Sequence, residues 1–561
     1  MNLHKCILLS IVLPGILWIA GSFSLVHAQK LLHKSVSVSV SQQPVAQVLH
    51  SIEKQGKFYF SYNSDVIPGD SLVTFSAYNQ PLHLVLDGLL SGRYLYKETG
   101  EYIILQRAPV EKYFLVTGHL EDQETGKPVD YASVYSKSLL VSTLSNEDGS
   151  FRLKMKDPVF PMRVSVSKIG YADTTILINT GKERRWDITL VPRAVDLDEV
   201  VVYNSGADRT WLARLFVSSQ LRRQSRNIGK FFVALPYQLS LTPGLGTHGR
   251  MSGQVTNKVS LNLIGGYTAG VNGVELAGVF NISRSRVRVV QMAGVFNIVS
   301  GAVKGVQMAG VHNKVMESVT GLQAAGAFNK VSNGMRGVQM AGAINQVQGS
   351  VSGLQMSGLA NVGKEKVSGL QLGPINYAKN LQGVQIGVVN IADSSSGYSF
   401  GLINITKKGK GSVSLLANEL VPANIVWKTG SRHIYSLLSV GTGMSSSAKA
   451  VVYGFGFGKD FRVGKILTLS PELVSHTVYT GHRDKMIGIY RLQSLLDVRL
   501  AKNISISGGP AIAISPDKNL ESARGFKDFP PTTYVNFDIG SKTAGWLGWQ
   551  AGISWNYGSV L

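Results

Sequence analysis

Asparagine recurs every 16 residues through the middle of the chain: Asn281, Asn297, Asn313, Asn329, Asn345 and Asn361, followed by Asn376, Asn390 and Asn404 at spacings of 15, 14 and 14. Each closes a short block, such as Gly305-Val306-Gln307-Met308-Ala309-Gly310 before Asn313 or Gly383-Val384-Gln385-Ile386-Gly387 before Asn390. A fixed period of this length means copies of one small unit that cannot bury its apolar face alone. Within each block a Gln alternates with apolar residues, as in Val306 and Met308 around Gln307. Two architectures fit. In a parallel β-solenoid each repeat is one coil, and equivalent Asn and Gln residues stack into ladders. In an antiparallel barrel each repeat is one strand and a turn, and about 10 residues are enough to cross a membrane. An Asn in every copy, not every second copy, favours the solenoid, because antiparallel neighbours would place it at alternate rims. Barrel-like strands on both sides favour one continuous barrel. Both readings stand at this point.

The chain has 561 residues, too many for one core, so several domains are expected. Residues 1–28 read as a secretory signal: Lys5, an apolar run from Ile7 to Ile19, and the small-x-small site Val26-His27-Ala28 before Gln29. Cys6 is the only cysteine, and it lies within that signal. Disulfides, thiolate metal sites and cysteine nucleophiles are therefore excluded for the exported chain. No later run of about 18 apolar residues exists, so a membrane crossing would have to be made by strands. The formal net charge is +22. With export expected, the basic balance points to anionic outer-membrane lipid as a partner and away from nucleic acid.

Residues 30–107 read as a small α+β module. Ser35 to Val40 alternates with period two, while Val45, Val48, Leu49 and Ile52 have helical spacing. Phe58 to Tyr62, Leu72 to Phe75 and Tyr102 to Leu105 are strand signals, and Leu82, Val85, Leu86, Leu89 and Leu90 mark a second helix. Through "PVAQVLHSIEKQGKFYFSYNSDVI" and "QPLHLVLDGLLSGRYLY…EYIIL" the segment resembles the secretin and TonB short N-terminal (STN) domain. That resemblance implies a periplasmic module contacting a protein partner, in some receptors an anti-sigma regulator of the inner membrane. Residues 112–192 form a second module. Through "GKPVDYASVY", "STLSNEDGSFRL" and "VSKIGY" it resembles the carboxypeptidase-regulatory-like β-sandwich of Bacteroidetes outer-membrane proteins, which is non-catalytic. Asn146 to Phe151 is a hairpin signal, and Glu147 and Asp148 there are turn residues that need no ligand.

Residues 193–228 read as a linker. Leu197, Asp198, Glu199, Val200, Val201 and Val202 resemble the segment near the TonB box of TonB-dependent transporters and are the candidate partner-binding residues. No plug-like stretch of a hundred or more residues follows, which places active import in doubt. Trp211, Leu212, Leu215, Phe216 and Leu221 predict a short basic amphipathic helix. Residues 229–404 carry β-strands and the repeats, whose blocks are similar to "G-L-Q-x-G-x-x-N" surface repeats of bacterial outer-membrane proteins. In residues 405–561, Trp549, Ile553, Trp555 and Tyr557 alternate with Gln550, Ser554 and Asn556, and Tyr490, Leu492 and Leu496 alternate with Arg491, Gln493 and Asp497. One apolar-aromatic face against one polar face is the pattern of a transmembrane β-barrel strand.

The histidines are unclustered, and no G-x-S-x-G elbow, P-loop or His-Glu-x-x-His motif is present. The expected fold class is mainly β: a small α+β module, a β-sandwich, a β-repeat region and an outer-membrane β-barrel. The expected protein is non-enzymatic and receptor-like. It is anchored in the outer membrane, with periplasmic modules that bind an anti-sigma regulator or a TonB-like energy-coupling partner. No catalytic residue, cofactor or metal is expected. The competing expectations are a structural or adhesive surface protein and a passive pore.

Overall fold

The computed structural model describes residues 31–65, 67–90, 94–108, 113–181, 185–193, 206–229, 231–407, 409–431, 433–444, 449–479, 486–516, 534–539 and 543–557. The signal segment 1–28 and residues 197–202 lie outside them. The chain divides into two compact units, Met1–Lys112 and Tyr113–Leu561.

The first unit is an α+β module. Strand Ser35–Pro44 pairs antiparallel with Leu72–Pro81, while Tyr59–Ser61 lies parallel to Tyr102–Arg107, which also pairs with Tyr94–Thr99. Helices α1 (Val45–Gly56) and α2 (Leu82–Leu89) bury the residues whose spacing predicted them, Val48, Leu49, Ile52, Val85 and Leu86, against Val36 and Ile103.

The second unit begins with a β-sandwich. One sheet holds Val141–Leu144, Ser133–Ser136, Met162–Ser167 and Thr174–Ile178; the other holds Ser150–Lys156, Tyr113–Asp122 and Arg185–Leu190. The segment expected as a hairpin, Asn146 to Phe151, is instead a corner. It carries the chain from the first sheet to the second, with Gly149 at φ +79° and the Asp148 carboxylate accepting from the Ser150 amide (2.9 Å). The sandwich motifs meet in space. Tyr171 donates to Asp122 (2.8 Å), which also accepts from the amides of Glu124 and Thr125, and Lys168 pairs with Asp130 (2.7 Å).

Residues 233–406 form a parallel β-solenoid, which settles the two readings of the repeats. Each 16-residue coil contributes a longer strand, such as Val303–Ala309, and a shorter one, such as His312–Val315. Both pair parallel and in register with their counterparts one coil on. The asparagines stack: from Asn262 through Asn404, each Nδ2 donates to the Oδ1 of the next coil's Asn at 2.8–3.0 Å. The glutamines stack in the opposite sense. Nε2 of Gln307, Gln323, Gln339, Gln355, Gln371 and Gln385 each donates to the Oε1 of the preceding Gln at 2.8 Å. Both columns are fully buried beside a column of valines including Val299, Val315, Val331 and Val347. Buried amides are tolerated here because each finds its partners in the neighbouring coil.

The glycines follow from coil stacking. A Cβ on Gly310, Gly326 or Gly342 would sit 2.0 Å from the carbonyl oxygen of the equivalent glycine one coil earlier, so the corner after the Gln strand admits no side chain. Gly305, Gly321, Gly337 and Gly353 bend the long strand at φ +119° to +128°. The Gln ladder ends at Glu275, whose buried carboxylate accepts from Gln291 (2.8 Å) and Ser283 (3.3 Å). Desolvation raises its pKa to about 7.

Helices α3 (Gly206–Arg209), α4 (Trp211–Phe216) and α5 (Ser219–Asn227) cover the first coils, with Thr210 and Ser218 as N-caps. Phe216 packs on Phe280 and Phe296. The residue after the ladder asparagine is apolar under the helices (Ile282, Ile298) and basic in the next two coils (Lys314, Lys330). The expected basic helix is therefore three short helices packed on the solenoid. Gln224 and Asn227 of α5 bond Ser142 and the Tyr131 carbonyl of the sandwich.

Residues 410–556 close a separate barrel. Eight antiparallel strands among the described residues form its wall, and Ser412–Asn418 pairs with Gln550–Asn556 to close it. Of the two open readings, one barrel continuous with the repeats is set aside: the repeat strands pair parallel, and an antiparallel barrel admits none of them.

Asn329→Leu should strand the Asn313 donor and the Asn345 acceptor in the solenoid interior. The expected loss is about 2–4 kcal/mol of unfolding free energy, read from the urea midpoint of the full chain in detergent. Glu275 sets a pH dependence. Its raised folded pKa makes stability fall as pH rises from the unfolded carboxyl range through about 7, then level off. Glu275→Gln should abolish that slope and be the more stable form at pH 8, measured by the same unfolding at stepped pH.

Candidate functional site

The barrel is apolar outside and polar inside. Leu415, Ile425, Leu473, Tyr490, Leu492, Ile553 and Trp555 project outward and are exposed. Lys428, Glu472, Arg491, Gln493, Gln550 and Ser554 point inward and are buried. This inverts a water-soluble domain, in which period-two alternation puts the apolar residues inside. Among the described residues no helix is long and apolar enough to cross a membrane. An apolar-walled barrel of this kind is compatible with an outer-membrane protein.

The lumen holds two charge clusters. Glu472 accepts from Lys428 Nζ (2.5 Å), Tyr435 Oη (2.6 Å) and Gln493 Nε2 (2.8 Å). Lys410 pairs with Asp460 (2.6 Å) nearby, on the border of a polar cavity of about 340 Å³. Toward the other end Glu419, in the first hairpin turn, folds into the barrel. It meets Arg491 (2.5 Å), the Trp546 indole N–H (3.1 Å) and the Trp549 amide (3.1 Å). Such pairs persist in a dry interior only when each carboxylate is satisfied by several donors. An eight-stranded barrel is narrow, and these clusters occupy its lumen beside that cavity.

The solenoid is two-faced. Between Gly305 and Asn313 its outward residues are Val306, Met308, Gly310, Val311 and the half-buried His312, and no coil presents a charged side chain outward over this stretch. Lysines, arginines and glutamates occur on the remaining arc, as at Lys304, Lys314, Glu317 and Arg336. On the apolar flank the column through Met308 runs beside the small-residue columns through Ala309 and Gly310. These columns line an open groove of about 920 Å³ that runs from Leu276 to Gly358.

The last coil docks on the barrel. The Asn404 amide donates to Thr429 Oγ1 (3.3 Å), and Ser436 Oγ donates to the Leu402 carbonyl (3.1 Å). Phe400 meets Phe457 edge-on, with ring centroids 5.9 Å apart. Phe400 continues the Met308 column, and Phe457 lies on the outward face of its barrel strand with Tyr453 and Phe455.

The candidate partner-binding residues Leu197, Asp198, Glu199, Val200, Val201 and Val202 fall in a stretch whose flanks are described. Tyr171 bridges to Pro192 before it, and the Ala207 amide donates to Ser300 Oγ (2.8 Å) after it. Sequence reasoning did not reach the lumen clusters. Lys428 and Glu472 are 44 residues apart, and Glu419 looks like an ordinary turn residue. The one available signal was a charge on the polar face of an alternating strand, which marked Arg491 but not its partner.

Residues 116–202 match the model of the CarboxypepD_reg-like domain family, covering the sandwich and the stretch that follows it. No curated protein matches the chain.

Lys428→Met should leave Glu472 buried without its cation, at a cost of about 3–5 kcal/mol, whereas Lys428→Met with Glu472→Leu should recover most of it. The temperature at which the folded barrel loses its fast-migrating band on a denaturing gel measures both.

Proposed function

We propose that this protein is a non-enzymatic, receptor-like protein of the outer membrane. The barrel is its anchor, and the modules before it act in the periplasm on a protein partner. One observation carries the reading: an eight-stranded wall with exposed Leu, Ile, Trp and Tyr outside and satisfied ion pairs inside. Exposed apolar area on that scale is stable only against lipid. The signal-like residues 1–28 support export.

The barrel also suggests an orientation. Its first strand begins and its last strand ends beside the solenoid, and Ser515 and Ala544, the strand ends that its longest connection joins, pair at the opposite end. Outer-membrane barrels keep short turns in the periplasm and long loops outside. The solenoid and the sandwich are then periplasmic, as is the STN-like module that precedes them in the chain. The STN-like and TonB-box-like segments favour an anti-sigma or energy-coupling protein as the partner. The narrow lumen, crossed by the Lys428–Glu472 and Arg491–Glu419 pairs, favours signalling over import and speaks against a passive pore. A periplasmic solenoid speaks against a surface adhesin.

The full chain, expressed in a Gram-negative host, should fractionate with the outer membrane, resist carbonate extraction and change gel mobility on boiling. Protease added to intact cells should leave residues 273–404 uncut until the outer membrane is permeabilised. Recovery in the soluble periplasm defeats the anchor. Cleavage of the repeats on intact cells defeats the orientation and restores the adhesive reading.

A further inference from the structure

The apolar flank of the solenoid has no occupant in the fold. Helices α3 to α5 pack on the first coils at Phe280, Ile282, Phe296 and Ile298, and the groove along the Met308 column stays open from Leu276 to Gly358. The flank offers apolar contact and almost nothing else. Its strand amides and carbonyls are paired coil to coil, and its Gln and Asn side chains point inward into the ladders. A protein segment laid along it would find few partners for its own backbone groups, which are costly to leave unpaired when buried. Hydrocarbon has no such need.

Length and position agree with a hydrocarbon ligand. The groove spans six coils, from Leu276 to Met356. At about 4.8 Å per coil it is roughly 25–30 Å long. Two acyl chains end to end make a hydrocarbon core of about 30 Å, so the groove exceeds one chain. Its Met308 column continues through Leu372 and Ile386 to Phe400, which touches Phe457 on the barrel's outward face. The flank is thus continuous with the surface assigned to lipid.

We propose that this flank seats acyl chains of lipid drawn from the leaflet that borders the barrel beside Phe457. The inference rests on the barrel being the membrane anchor. The solenoid then serves as an apolar track leading from the bilayer toward the sandwich, and the class of ligand is a membrane phospholipid held by its chains.

The full chain, reconstituted in phosphatidylethanolamine–phosphatidylglycerol vesicles containing a phospholipid with a diazirine at the acyl terminus, tests this on irradiation. Peptide mapping should find adducts both on barrel residues 451–457 and on solenoid residues 292–358. Met308→Arg with Met340→Arg changes two positions of that column at the surface. It should cut solenoid adducts roughly tenfold or more, given the cost of a cation in hydrocarbon, and leave barrel adducts unchanged. Lys314→Glu on the polar arc should change neither. An unaltered heat-modifiable band shows that the variants fold. Adducts on the barrel alone overturn the proposal and leave the anchor standing. Adducts on neither overturn the anchor itself. Solenoid-to-solenoid crosslinks formed by a bifunctional amine reagent added to the same vesicles, in place of lipid adducts, assign the flank to a second copy and overturn the lipid seat.

Discussion

The amide-to-amide hydrogen bond between successive coils is the constraint on which the middle of this protein depends. One Asn and one Gln per turn must find identical residues above and below, so the repeat cannot drift in register without orphaning buried donors. Where the period shortens from 16 to 14 residues, the loss falls in the turns and the ladders run on unbroken. The two columns polarise in opposite directions, and each needs different ends. The donor end of the Gln column points at a group that can accept, and Glu275 supplies it. Its acceptor end receives the Ser399 hydroxyl.

Solenoid and barrel solve the same problem, a polar interior, with different chemistry. The solenoid interior is neutral, and its amides satisfy one another along an axis. The barrel interior is ionic, and its carboxylates gather donors from facing strands. Their outer surfaces nevertheless share a character along one side, and Phe400 and Phe457 join them. The helices before the solenoid pack elsewhere, on coils that carry Ile282 and Ile298 where the next two carry Lys314 and Lys330.

Much of this architecture was legible in the sequence. Helical spacing at Val45, Val48, Leu49 and Ile52 and the alternation from Tyr490 to Gln493 each gave the buried face directly. The repeats were ambiguous for a definite reason. Gln307, Ala309, Asn313 and Val315 share one parity, so a period-two pattern fits one long strand as well as two short ones. What separates them is the corner at Gly310 and Val311, where Val311 keeps that parity yet turns outward. That corner is dictated by contact with the neighbouring coil, a distance no local pattern encodes. The Asn146 corner was misjudged similarly, because a hairpin turn and a sheet-to-sheet crossing use the same residues. The lumen pairs were out of reach because closure of the barrel, not proximity in the chain, brings Glu419 to Arg491.

In-register stacking also makes each coil an increment of length. A coil added or removed between Asn313 and Asn345 would find the same Asn, Gln and Gly columns on either side, and the contacts at both ends would be untouched. The distance from the helical cap to the barrel would change by about 4.8 Å each time. The middle of this chain is therefore an adjustable spacer whose reach is counted in whole repeats.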